Sequence, residues 1–395
     1  MPSFSYLYSI PYITLFLLLY VNIIPLYRTK IVSFYNYSIF LQQFFIVALL
    51  VIFFGFRGFV HTDWIVYYSV YDNSPTLFDG SYHIKKFLGR SMESGFLFYM
   101  IICKTISSNY FFLQLISFVI DFLILFYFFK RIIPKYIAFG FIFFMLFSGI
   151  DLEFNLLRNS KAIMLFLISI KYIEEKKFVK YVVINSLGAL FHITSLLYFP
   201  LYFILNKKIS RKIMLIIFII GNVIFLLQIE WCRSLLTFIS TRIPGRIGYL
   251  MEIYLESDLY SKSYGITIGY LERFFTFIFI YCFFEKLCRI NKSNLIYINT
   301  FFIYCFIFLY FSEIAILLQR VTLLFIFPYW ILYPQIYSLI KKKQVFLIIL
   351  LFYGILKMSV GNNNIIKSYD NVLLQYKTYG ERVNIRDKHG EYIIK

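Results

Sequence analysis

In the stretch NLLRNSKAIMLFLISI, residues 155–170, Arg158 and Lys161 open a membrane-length apolar run. They stand at i and i+3, on one face at the start of a helix. A helix N-terminus already favours anions. Arginine adds a planar fork that grips phosphate oxygens in pairs, which lysine cannot copy. The chemistry suggested is anion binding; plain charge anchoring at a bilayer edge is the competing reading. In ALFHITSLLYFP, residues 189–200, His192 lies deep in apolar surroundings. A histidine there is either a packed core residue or a general base working near neutral pH.

Three further groups stand out. GFRGFVHTDWIVYY, residues 55–68, carries Arg57 and Asp63 where an apolar run ends, with Asp63 and Tyr67 one helical turn apart. Its alternative is an interfacial anchor, with a snorkelling arginine and an aromatic belt of Trp64 and Tyr67. MESGF, residues 92–96, offers Glu93 as another candidate base. SEIAILLQRVTLLF places Glu313 and Arg320 seven apart on one helical face, either paired with each other or leaving Arg320 to an anion. Asp121, inside an apolar run, is expected to pair with another polar group in the bundle.

These residues need elements to hold them. The 395-residue chain is 61% hydrophobic and 15% charged, against roughly 25% charged in a soluble domain. Apolar runs recur near 4–24, 40–56, 109–129, 136–151, 159–173, 213–229, 266–285, 295–311, 321–340 and 345–358. The fold class is therefore all-α: a polytopic integral membrane helical bundle of about 10–13 transmembrane segments, with re-entrant or half-helices and outer-face loops. Residues 1–360 form one membrane domain, with outer loops near 57–94 and 230–265, and 361–395 a polar C-terminal tail. The net charge of +19 sits largely in short links such as KRIIPK and NKKISRK. These should face the cytoplasm, so the charge calls for no nucleic acid. If the basic turns flanking 179–206 are both inside, that segment must enter and return, as two half-helices meeting near His192 and enclosing a cavity. A single tilted span is the alternative.

Five cysteines show no ligand spacing, and HExxH, a Walker loop, an outer DxD-like pair and GxSxG are all missing. Metal-dependent sugar-nucleotide chemistry, ATP-driven transport and serine hydrolysis lose support, and neither metal nor cofactor is implied.

The order of GFRGFVHTDWIVYY, ESGFLFYMI, the block from Leu156 to Pro200 and SEIAILLQRVTLLF resembles the EpsG-type family of bacterial polysaccharide polymerases, similar in role to the Wzy proteins of O-antigen and capsule pathways. The block from Arg158 to Pro200 is the most specific piece. The chain departs from the family in having His61-Thr62-Asp63-Trp64 where Gly-Thr-Asp-Tyr is common, and Arg158-Asn159 where Arg-Gln is common.

The resemblance implies a glycosyltransferase in the inner membrane that polymerises O-antigen, capsular or exopolysaccharide repeat units at the outer face. It would transfer a glycan from undecaprenyl pyrophosphate to the non-reducing end of another lipid-linked unit. Membrane lipid, a flippase and a chain-length regulator are the implied companions. Arg158, Lys161, Arg57 and Arg320 would bind the pyrophosphate, and His192, Asp63 or Glu93 would take the acceptor's proton. An O-antigen ligase or a flippase for lipid-linked oligosaccharides would use similar outer cations; a flippase would also show internal repeats, which are not evident by eye.

Overall fold

The computed structural model describes residues 2–23, 42–231, 238, 242, 266–314, 318 and 320–389. The basic link at 27–30, most of the loop 230–265 and Gln319 lie outside the described residues. Helix dominates, and the described residues contain only three isolated antiparallel bridges in place of strands. Three helices are long and apolar enough to cross a membrane: Tyr110–Ile132, Pro134–Phe154 and Lys343–Gly361. Further apolar helices run 10–17 residues, at most about 26 Å against the roughly 30 Å of a hydrocarbon core.

The chain divides into two compact units, Met1–Phe199 with Tyr333–Lys395, and Pro200–Leu332. The helices that build the site all belong to the first. In order they are α1 (Ile10–Val21), α2 (Gln42–Gly55), α3 (Trp64–Asp72), α4 (Ser81–Leu88), α5 (Ser94–Ile106), α6 (Tyr110–Ile132), α7 (Ile137–Phe144), α8 (Ile150–Phe154), α9 (Leu157–Glu174) and α10 (Phe178–Phe191).

Ser9 Oγ donates to Ser359 O at 2.7 Å and Tyr20 Oη to Leu347 O at 2.9 Å, so α1 runs antiparallel to Lys343–Gly361. Gly354 permits this approach, since a Cβ there would lie 2.0 Å from Phe16 Cζ. Small residues let helices close in apolar surroundings.

After α10 the chain turns back on itself. His192 is extended (φ −155°, ψ 120°), and Ile193–Tyr198 follow as a 3-10 helix. Tyr181 Oη donates to Tyr198 O at 2.5 Å, and Tyr198 stacks on Phe166 at 3.8 Å. The returning segment therefore lies along α10, with His192 at the bend. Two short helical pieces therefore meet at His192. Ile193 and Thr194 are β-branched and favour leaving the helix there, and the freed Ile193 N–H is bonded by Glu93 Oε1 at 3.3 Å.

The C-terminal tail packs into the first unit and clasps the turn after α2. Gly58 N donates to Asp370 O at 2.9 Å and Val372 N to Phe56 O at 2.8 Å. Tyr369 stacks on Phe53 at 4.2 Å. Asp370 is itself gripped by Arg382 at 2.7 Å and Lys377 at 3.1 Å. Within this turn His61 has φ 71°, the left-handed region that glycine enters most readily.

In the second unit, Arg211–Leu226 packs on Ile268–Ile290 through stacked Phe218–Phe277 at 3.6 Å and Phe225–Tyr270 at 4.6 Å. Tyr270 Oη donates to Asn222 Oδ1 at 2.7 Å. Arg273 Nε donates to Tyr304 Oη at 2.8 Å, with its guanidinium 4.1 Å above the Phe308 ring.

Candidate active site

Glu93 precedes the first turn of α5 and does not cap its own helix. Its carboxylate instead joins two other elements. Oε2 accepts from Arg158 Nη1 at 2.5 Å, at the start of α9, and Oε1 lies 2.9 Å from His192 Nδ1, at the end of α10. Gly95 allows this convergence: a Cβ there would meet Leu190 Cβ at 2.6 Å and its carbonyl oxygen at 2.8 Å. The N-terminus of α5 can thus lie directly against the C-terminus of α10.

Burial pushes the Glu93 carboxyl upward, but the His192 hydrogen bond and the Arg158 charge outweigh it and hold it at about 2. Glu93 is therefore ionised and accepts only, so the shared proton belongs to His192 Nδ1. In the neutral imidazole the lone pair is then on Nε2, which is buried and without a hydrogen-bond partner. Arg158 Nε is likewise unpartnered. A basic imidazole nitrogen and an arginine with spare donor capacity thus flank one carboxylate.

Tyr67, on α3, lies against Arg158 and hydrogen-bonds to it. Burial first, moderated by Arg158, pushes its phenol up to about 12. It therefore stays neutral. Asp63 lies one turn before Tyr67, where its charge adds to that rise. The Asp63 backbone is tied down by Asn155 Oδ1, which accepts from Asp63 N at 2.8 Å and from Thr62 Oγ1 at 2.9 Å. Asn155 thereby couples the Thr62–Asp63 turn to the residues just ahead of Arg158. Asp63, Glu93, Arg158 and His192, all singled out in the sequence, belong to this neighbourhood. Asn155 was not, and Tyr67 was noted only for its one-turn spacing from Asp63 and as part of an aromatic belt.

The other predicted phosphate ligands have different settings. Lys161 is buried, with Nζ 2.7 Å from Asp121 Oδ2 and 2.7 Å from Ser117 O. This supplies the partner expected for Asp121 and engages the ammonium there, on a different side of α9 from the Arg158–Glu93 contact. Ser160 Oγ lies 2.7 Å from Asp121 Oδ2 and 3.1 Å from Glu153 Oε1 in the same buried group. Arg57 is 1% exposed and donates to Phe54 O and Glu153 O, both at 2.5 Å. It therefore caps the carbonyl ends of α2 and α8, where a cation is favoured, and does not open onto a ligand. Arg320 is exposed and belongs to the second unit. Trp64 and Tyr67 are 2% and 3% exposed, so they are packing residues and not an exposed belt.

Among the described residues no three His, Cys, Asp or Glu side chains converge as metal ligands would. No curated protein and no solved structure matches the chain. EpsG-type proteins are Wzy-like polysaccharide polymerases, the class that the order of motifs resembled. The EpsG family model matches residues 40–378, most of the chain, and the protein belongs to the EpsG family.

Proposed function

We propose that the protein polymerises polysaccharide repeat units carried on undecaprenyl pyrophosphate, as a multi-pass inner-membrane glycosyltransferase whose Arg158–Glu93–His192 cluster opens toward the outer face. The observation that carries this reading is the single carboxylate shared by His192 Nδ1 and Arg158 Nη1, with His192 Nε2 and Arg158 Nε left without partners.

His192 Nε2 takes the proton from the non-reducing-end hydroxyl of the acceptor unit. The hydroxyl oxygen forms its bond to the anomeric carbon of the donor as the bond from that carbon to the phosphate oxygen breaks. The electron pair leaves with the lipid pyrophosphate. Glu93 holds the imidazole in the productive tautomer and steadies the imidazolium that forms, as the third member of a nucleophile–base–orienter set does. Being ionised and doubly engaged, Glu93 is itself a poor base. Arg158 meets the charge growing on the leaving pyrophosphate, the place where preorganised donors lower a barrier most. Asp63 is a second carboxylate within the same neighbourhood. The donor is already activated, so the residues need only bind, orient and move one proton.

Deleting the gene in its host and separating surface glycans and lipid-linked intermediates by gel and mass spectrometry tests this reading. Single repeat units should persist on the carrier while long chains vanish. Long polymer that still forms but stays on the lipid would identify a ligase, and units held on the cytoplasmic leaflet a transporter.

A further inference from the structure

Beyond the reacting centre, the first unit contains a cleft of about 580 Å³ between the end of α3 and α4, within the roughly 300–1,000 Å³ usual for small-ligand sites. Seven of its nine lining residues are polar, which argues against a lipid chain as occupant. Asp72, Asp79, Lys86 and Arg90 all line it, together with Asn73 and His83. Two carboxylates and two permanent cations cancel in charge, while supplying strong acceptors and strong donors. A pyrophosphate would meet both carboxylates and be repelled. A polyhydroxylated ligand, whose every hydroxyl both donates and accepts, suits the mixture.

The availability of these groups agrees. Asp79, which lines the cleft, accepts through Oδ2 from Thr76 N at 2.6 Å and Thr76 Oγ1 at 3.1 Å, which orders the loop. Asp72 is held through its carbonyl by Lys104 Nζ at 3.2 Å. Arg90 rests 4.8 Å above the Phe87 ring.

The position of the cleft gives it a purpose. Tyr67, near the start of α3, bonds Arg158, and Asp72, at its end, lines the cleft. Five residues of helix separate them by about 7.5 Å along the axis. Phe87 of the cleft packs on Leu97 and Ile101 of α5, the helix that begins just after Glu93. Arg90 is three residues before Glu93. Helix α3 thus runs from Tyr67 beside Arg158 to the cleft, and α5, which begins just after Glu93, supports α4 at the cleft wall.

We propose that this cleft is a carbohydrate subsite, which holds the glycan of the lipid-linked donor where it extends away from a pyrophosphate seated at Arg158. The assignment rests on the polymerase reading above. It makes Asp72, Lys86 and Arg90 specificity-determining residues, outside the machinery of bond exchange.

The test uses full-length protein in lipid nanodiscs. The probe is the repeat-unit oligosaccharide released by mild acid from the host's own lipid carrier, so that it lacks pyrophosphate. Contact is read by saturation-transfer NMR. Wild type should saturate the sugar protons. Asp72→Ala, Lys86→Ala and Arg90→Ala should each weaken the contact by about tenfold, the size of one lost hydrogen bond to a charged group. Arg158→Ala should leave it unchanged. Sugar contact absent from wild type, or untouched by all three cleft variants, overturns the subsite. Polymer formation from lipid-linked units is measured on the same preparations. If wild type makes polymer while the cleft variants bind sugar normally, only the subsite falls; if wild type makes none, the polymerase reading falls and takes the subsite with it.

Discussion

His192 Nδ1 lies 2.9 Å from Glu93 Oε1 across 99 residues of sequence, and the same carboxylate holds Arg158 at 2.5 Å. One anion therefore sets both the tautomer of a candidate base and the orientation of a candidate phosphate ligand. Glu93→Gln keeps the shape but removes the charge. It should lower the rate of chain formation by ~10²-fold or more, the usual size of an acid–base contribution. Reconstituted variant protein supplied with lipid-linked repeat units checks this; a near-normal rate would mean that the carboxylate only supports packing.

Gly95 makes that contact possible. Gly95→Ala places a methyl group against Leu190 Cβ at 2.6 Å, and overpacking of this kind costs about 1–3 kcal/mol. Activity should fall much more than the melting temperature, because α5 must shift away from His192. A crosslink between cysteines introduced at Glu93 and His192 would report the separation directly: fast in the glycine background, slow in the alanine one.

His61 gives a pH dependence of stability. Burial first, and then the nearby positive charge of Lys367, lowers its imidazole to about 3, against the opposing pull of Asp151. The unfolded chain takes up this proton near 6.5, the folded chain not until about 3. Between those values the unfolded state binds more protons, so stability falls as pH drops from 6.5 toward 3. His61→Gly also suits the φ of 71°. Melting curves at pH 7.5 and 5 should show a smaller acid loss in this variant than in wild type; equal losses would assign the effect elsewhere.

Lys161 and Asp121 form a buried pair at 2.7 Å. Lys161→Met leaves a buried carboxylate unpaired and should destabilise by about 3–5 kcal/mol. Adding Asp121→Leu should recover much of that loss, since an apolar pair of similar volume is often neutral. Thermal unfolding in detergent is the measurement. A double variant as unstable as the single one would show that Asp121 is needed by Ser160 and Glu153 as well.

The parts of this arrangement that were legible in the sequence are those with a local or charge-pattern signature. The bend at His192 followed from basic turns on both sides of one apolar segment. Arg158 announced itself as an arginine opening an apolar helix. What was hidden depends on distant partners. Nothing local says that Glu93 lies 2.5 Å from Arg158, 65 residues on. Lys161 shares roughly the same helical face as Arg158, yet residues three apart still differ by about 60° around the axis. That angle is enough to send one side chain to Glu93 and the other to Asp121. Arg57 looked exposed because it follows a hydrophobic run, but the carbonyl ends of two helices and the tail around Asn371 enclose it. The left-handed backbone at His61, φ 71°, was equally hidden, since nothing in the local sequence requires a histidine to adopt it.

The central claim is that Arg158 grips the departing pyrophosphate with its fork. Arg158→Lys keeps the charge and loses the bidentate geometry. In proteoliposomes carrying lipid-linked repeat units, the rate of polymer formation by this variant should fall by ~10²-fold or more, the size of one lost transition-state donor. Its melting temperature should stay close to that of wild type. Full polymerising activity in the lysine variant would contradict the account.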